Sequence, residues 1–165
     1  MPPTTQDRLE ADLRAARDSD DREAEARSLN ALGAWHYSQL SFTAALVHYQ
    51  QALDINRQIA HRVGEAALLT NIGHIHRLQT QPDRALSCYR ASLDIRRELG
   101  DAMGAARTLA DIAQTYLNDG QFAAAQQPLE EALAAYRTLH AEDETAHLEA
   151  AQQRLQARLD AGLGE

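Results

Sequence analysis

Apolar residues recur along this chain at spacings of three and four. Leu69, Ile72, Gly73 and His76 fall three, one and three residues apart, which is one stripe of a helix. Ala85, Tyr89, Ser92 and Leu93 form a second stripe, and the polar stretch "LQTQPD" lies between the two. The segment "LLTNIGHIHRLQTQPDRALSCYRASLDIRR", residues 68–97, therefore predicts a helix, a turn and a second helix. Two further segments repeat it without gaps at a stride of forty residues. They are "SLNALGAWHYSQLSFTAALVHYQQALDINR" at 28–57 and "TLADIAQTYLNDGQFAAAQQPLEEALAAYR" at 108–137.

The columns of these segments agree in size as well as polarity. Leu29, Leu69 and Leu109 align, as do Leu32, Ile72 and Ile112, and Gly33, Gly73 and Ala113. His36, His76 and Tyr116 follow, then Ala45, Ala85 and Ala125, and Tyr49, Tyr89 and Leu129. Each unit thus carries a small residue on each helix beside large neighbours. Small residues let two helix axes approach, and large ones fill the gaps beside them. A glycine inside a helix costs about 1 kcal/mol relative to alanine, and close packing accounts for its presence.

These residues resemble the tetratricopeptide repeat. Its pattern appears as Leu29-Leu32-Gly33-His36-Ala45-Tyr49, as Leu69-Ile72-Gly73-His76-Ala85-Tyr89, and as Leu109-Ile112-Ala113-Tyr116-Ala125-Leu129. The resemblance covers residues 26–140. Two features depart from the family pattern. The stride is forty residues instead of thirty-four, and the terminal proline is replaced by Arg57, Arg97 and Arg137. Without that breaker the second helix continues, and six extra residues add nearly one turn to each helix. The long-helix arrays of kinesin light chains and of some bacterial peptide-binding regulators are similar. The three arginines are read as structural, set near helix C-termini.

The resemblance implies an all-α, right-handed superhelical solenoid of three helical hairpins with a lone helix at each end, eight helices in all. Residues 1–5 are expected to be a disordered N-terminus and 161–165 a flexible tail. The single repeat domain occupies 6–160. Within it, 6–18 is an N-terminal capping helix, 21–60, 61–100 and 101–140 are the repeats, and 142–160 is a C-terminal capping helix. The last helix lacks the small notch, having Gln152 and Gln153 there, which suits an outer face turned to water. Asp101 is the expected N-cap after the turn "LGDAMG". Pro128 falls inside the second helix of the third repeat, so a kink or late start is expected there.

Charge sharpens this picture. Residues 1–25 carry eight acids and four arginines, and residues 130–165 carry eight acids and three arginines. The middle is nearly neutral, and all sixteen basic residues are arginine. Nucleic-acid binding is disfavoured, because phosphate contact needs a concentrated basic face. No apolar run is long enough to span a membrane, so no membrane partner is expected. The polar N-terminus is not a signal peptide, and the single cysteine, Cys88, reads as a small buried hydrophobe in a reducing compartment. A cytoplasmic, bacterial, free-standing adaptor is the resulting expectation.

Enzymatic chemistry finds no footing. There is no phosphate-binding glycine loop, no zinc-peptidase motif and no nucleophile elbow, so no catalytic residue and no cofactor is expected. His74 and His76 point about 200° apart on a helix and cannot share a metal ion, and no metal site is assigned. The stripe beside the packing stripe of each first helix is more informative. It holds Arg27, Asn30, Ala34 and Tyr37 in the first repeat, and Ala67, Thr70, His74 and Arg77 in the second. In the third it holds Arg107, Ala110, Gln114 and Leu117. In the resemblance this is the concave face, and the stripe itself contains no acid. Forked arginine donors suit carboxylates or an acidic extended peptide, and Asn30 and Gln114 suit a peptide backbone. The candidate groove is therefore Arg27, Asn30, Tyr37, Thr70, His74, Arg77, Arg107 and Gln114. The expected function is a scaffold or adaptor that binds a protein or peptide partner there. The alternatives are a homo-oligomerising module, which exposure of Trp35, Tyr37 and Phe42 would favour, and a regulatory subunit sensing a small ligand.

Overall fold

The computed structural model describes residues 3–160. Eight α-helices follow one another, and no strand occurs among the described residues. They are α1 (Thr5–Asp18), α2 (Arg22–Ser38), α3 (Phe42–Gln58), α4 (Arg62–Leu78), α5 (Pro82–Glu98), α6 (Ala102–Asn118), α7 (Phe122–Thr138) and α8 (Glu142–Asp160). Six consecutive helices, α2 to α7, have 17 residues each. At 1.5 Å per residue each is about 25 Å long.

The linkers are as regular as the helices. Asp20, Leu40, Ala60, Thr80, Gly100, Gly120 and His140 all have positive φ, between 54° and 77°. They fall every twentieth residue. Each ends its helix in the same way. The amide after the left-handed residue donates to a carbonyl five positions back, as from Ser41 to His36 (2.9 Å) and from Gln121 to Tyr116 (2.9 Å). This is the Schellman motif, which satisfies carbonyls that the helix end leaves unpaired. Several helices start on side chains suited to the task, whereas α3 and α7 have no side-chain cap bond. Asp101 accepts from the Gly104 amide at 2.9 Å and Asp21 from the Ala24 amide at 2.9 Å, so Asp101 is an N-cap. Thr4 and Asp7 form a reciprocal capping box on α1, and Pro82 opens α5, where a missing N–H costs nothing.

The expected late start at Pro128 does not occur. α7 begins at Phe122, six residues ahead, and runs through the proline. The ring removes one bond, to the carbonyl of Ala124. Ala124 is exposed, so water can take that carbonyl, while Pro128 itself is buried in the core. Residues 1–2 of the expected N-terminal tail, and the whole of 161–165, lie outside the described residues. Thr4 is an N-cap and Thr5 the first residue of α1.

The chain divides into two compact units, residues 1–75 and 76–165, with the division inside α4. In the first, α2 packs on both α1 and α3. Its interior includes Leu13, Leu29, Leu32, Ala45, Tyr49 and Leu53, all below a tenth exposed. The glycine notch is tight here. A Cβ on Gly33 would sit 2.5 Å from Cδ1 of Tyr49. In the second unit, α6 packs on α5 and α7, and α7 on α8. One continuous cluster there joins Tyr89, Leu93, Leu109, Ala113, Leu129, Leu133 and Leu155.

Turns within the first unit are also closed by charge. Glu25 accepts from Arg17 at 2.9 Å and also pairs with Arg22, and Glu65 accepts from Arg57 at 2.9 Å and pairs with Arg62 at 2.6 Å. Both carboxylates are buried; burial pushes their pKa up, as the largest single influence at Glu65, but the clamping arginines together outweigh it and hold both below the usual range. Arg97 and Arg137 reach Glu131 (2.9 Å) and Glu149 (2.8 Å). The arginines that stand in for the family's proline are thus ion-pair donors across helices, in addition to lying in last turns.

Candidate binding clefts

Each unit carries its own share of the stripe expected to bind. In the first, Arg27 and Asn30 are exposed on α2, one turn apart. They line one cleft of about 130 Å³, together with Glu23, Asn56, His61 and Gly64. The stripe is not free of acid in practice. Arg27 pairs with Glu23 at 2.6 Å, because Glu23 lies one helical turn before it. Asn30 accepts weakly from the Asn71 amide at 3.4 Å. Tyr37 is half-buried with its ring 5.9 Å from that of Phe42. Thr70 turns its hydroxyl back to the carbonyl of Ala66 (3.1 Å), and His74 is half-buried on α4. None of Tyr37, Thr70 and His74 lines the cleft that Arg27 and Asn30 share. Trp35, Tyr37 and Phe42 are all half-buried.

In the second unit Arg77 and Gln114 line neighbouring clefts that meet at Asn118. Arg77 stands beside Thr80, Pro82, Thr115 and Asp119 in a cleft of about 140 Å³. Its Nε is buried without a hydrogen-bond partner. Its guanidinium lies beside the Tyr89 hydroxyl. There it offsets part of the upward push that burial, and then Asp111, put on the phenol's pKa. Arg77 therefore supports the core as much as it faces outward. Arg107 is exposed, with Glu144 at 3.6 Å.

Gln114 donates to Asn118 at 2.7 Å and lines the larger cleft, about 240 Å³. Leu117, Phe122 and Leu155 give it an apolar floor, and Arg154 and Arg158 stand over it. The Arg158 guanidinium lies 5.1 Å from the centre of the Phe122 ring, a cation–π contact. Among the described residues no acidic side chain lines this cleft. Arg154 and Arg158 are absent from the stripe read in the sequence, where α8 figures only as a cap. The stride carries the signal for both: Arg154 lies forty residues after Gln114, and Arg158 forty after Asn118.

The histidines pack rather than cluster. His36 stacks on His48 at 5.1 Å with planes 10° apart, and His76 Nδ1 is 3.0 Å from Gln81 Oε1. No group of three or more metal-ligating side chains comes together among the described residues. No helix among them is long and apolar enough to cross a membrane.

Two models of the Tetratricopeptide repeat family match the chain, over residues 26–60 and 64–138, together about two thirds of its length. Among solved structures, BtubC (BKLC) from P. vanneervenii is similar with a TM-score of 0.78 and 18% identity, over 98% of this chain and 70% of that one. The N-terminal domain of stress-induced protein-1 (STI-1) from C. elegans is similar with a TM-score of 0.63 and 17% identity, over 78% of this chain and 98% of that one. At these identities the likeness is one of fold. No curated protein sequence matches the chain.

Proposed function

Because this chain belongs to the tetratricopeptide repeat family, we propose that it is a peptide-binding adaptor whose first helices seat a carboxylate-bearing segment of a partner protein. Repeats of this family generally mediate protein–protein interaction and are generally non-enzymatic. The observation that carries the finer reading is the cleft between α6, α7 and α8. Its apolar floor of Leu117, Phe122 and Leu155 takes an apolar side chain, and Arg154 and Arg158 offer forked donors to a carboxylate beside it. Gln114 and Asn118 supply amides at the spacing of a helical turn, suited to a peptide backbone. Arg107 extends the same preference, already oriented by Glu144.

The test is selection from a displayed random peptide library, followed by solution affinities for the winners. Winners rich in aspartate and glutamate next to an apolar residue are expected, with affinity falling as salt rises. Arg107→Ala, Arg154→Ala and Arg158→Ala together are expected to weaken them at least about tenfold, the scale of one lost charge-assisted contact. Arg77 is left in place because its Nε is buried. Winners without acids, or affinities untouched in a variant whose thermal melt is unchanged, would defeat the assignment.

A further inference from the structure

A smaller cleft in the first unit raises a separate question. Asn56, on the last turn of α3, is 5% exposed, and its Oδ1 is buried without a hydrogen-bond partner. An unpaired buried acceptor is destabilising, and a partner that donates to it recovers that loss. Asn56 lines the cleft of about 130 Å³ whose other polar members are Glu23, Arg27, Asn30 and His61. Its floor is Gly64, in the first turn of α4. A Cβ on Gly64 would strike Asn56 Nδ2 and lie 2.7 Å from His61 Nδ1. The cleft therefore depends on that glycine.

Forty residues on, the chain repeats the arrangement with different side chains. Gly104 stands for Gly64, Asp101 for His61, and Arg96 for Asn56. There the Arg96 guanidinium lies directly over Gly104, pairs with Asp101 at 2.6 Å, and donates through Nε to Ser92 at 3.3 Å. The junction between the second and third repeats thus covers its helix-start glycine with a guanidinium. The junction between the first and second repeats keeps the glycine but has the short amide of Asn56 in place of a guanidinium.

We propose that the cleft over Asn56 and Gly64 receives the guanidinium of an arginine side chain from a bound protein. Asn56 now faces Gly64 with Nδ2, so its amide turns over about χ2 to bring the unpaired Oδ1 into the cleft, where it accepts one N–H, and the Glu23 carboxylate accepts others. Arg27 already holds Glu23 Oε1 at 2.6 Å, and a carboxylate has sites for a second guanidinium. Ala26, Ala67 and Leu68 enclose the flat faces of the group, which is less strongly hydrated than an ammonium. A lysine has neither the planar shape nor the fork. The site rests on the adaptor reading only for the source of the arginine.

The experiment is a magnetic-resonance titration of the full isotope-labelled chain with N-acetyl-arginine amide. The matching lysine and citrulline amides serve as controls. The Asn56 side-chain and Gly64 backbone signals are expected to move with the arginine probe, with affinity at least about tenfold above either control. Asn56→Arg with His61→Asp gives the earlier junction the arrangement of the later one, and is expected to abolish binding while folding normally. Asn56→Asp keeps the shape and adds charge, and is expected to tighten binding about tenfold. Equal shifts with lysine, retained binding in the double variant, weaker binding in Asn56→Asp, or a high-resolution structure with the probe present and only water on Asn56 would each overturn the proposal. Arg154→Ala and Arg158→Ala are expected to leave this titration unchanged, so it succeeds or fails independently of the acidic-peptide cleft.

Discussion

At the scale of single residues, the repeat is a set of matched pairs. Gly33 lies against the Tyr49 ring, and a methyl group there would sit 2.5 Å from it. In the third repeat the corresponding residues are Ala113 and Leu129, both in the core of the second unit. The smaller partner grows by one carbon where the larger one loses its ring. Gly33→Ala alone is therefore expected to destabilise the chain by about 1–3 kcal/mol, the usual cost of overpacking. Gly33→Ala with Tyr49→Leu recreates the third repeat's solution and is expected to recover most of the loss. A double-mutant cycle by urea unfolding measures the coupling, and additive single effects would refute the pairing. This complementarity was legible in the sequence, because size covaries between columns at a fixed stride. The orphaned oxygen of Asn56 was not, since nothing in a helical stripe tells how far a neighbouring side chain reaches.

At the scale of elements, helices of 17 residues alternate with linkers of three. The helices were legible from their period. The left-handed linker residue was legible only at Gly100 and Gly120, the residues that prefer that conformation. Asp20, Leu40, Ala60, Thr80 and His140 adopt it under the constraint of the helices on either side. Leu40 is 74% exposed, so its side chain contributes little there. Leu40→Gly is expected to raise unfolding free energy by about 0.5–1 kcal/mol, the left-handed cost less the extra freedom of the unfolded glycine. Denaturant midpoints with an unchanged slope would verify this.

The α2–α3 hairpin carries a pH dependence of its own. His48 has a buried Nδ1 without a partner and stacks on His36. Burial first, then the charges of His36 and Arg17, lower its pKa, with Glu10 opposing. The unfolded chain thus takes up this proton first, and stability falls as pH drops through about 6.5 toward the folded pKa. Glu25, Glu65 and Asp101 have lowered carboxylate pKa values, so their contribution is lost only at more acid pH. His48→Gln is expected to flatten the fall in melting temperature between pH 7 and 5 while leaving the acid limb below pH 4.5. A slope unchanged between pH 7 and 5 would count against it.

At the scale of the whole molecule, charge and repetition act together. The net charge is −8, and the acidity lies at the two ends, with a nearly neutral middle. Two copies meeting through these terminal segments would bring like charges together. A single species of 18.2 kDa is expected in light scattering from micromolar to near-millimolar concentration at low salt. Growth of the apparent mass with concentration would contradict that. The two basic residues of the larger cleft were hidden by their place in the chain. Arg154 and Arg158 belong to the last helix, which reads as a cap because it lacks the small notch, yet the stride still assigns them places in line with Gln114 and Asn118.

The twenty-residue spacing of left-handed linkers limits how such a gene can change in length. A single codon inserted within any of the 17-residue helices would turn everything downstream in that helix by about 100°, carrying its buried stripe toward water. The tolerated unit of gain or loss is then a whole cassette of forty codons, which restores every register at once. Relatives of this protein are expected to differ in length by multiples of forty, or at their tails, and rarely by one or two residues inside a helix.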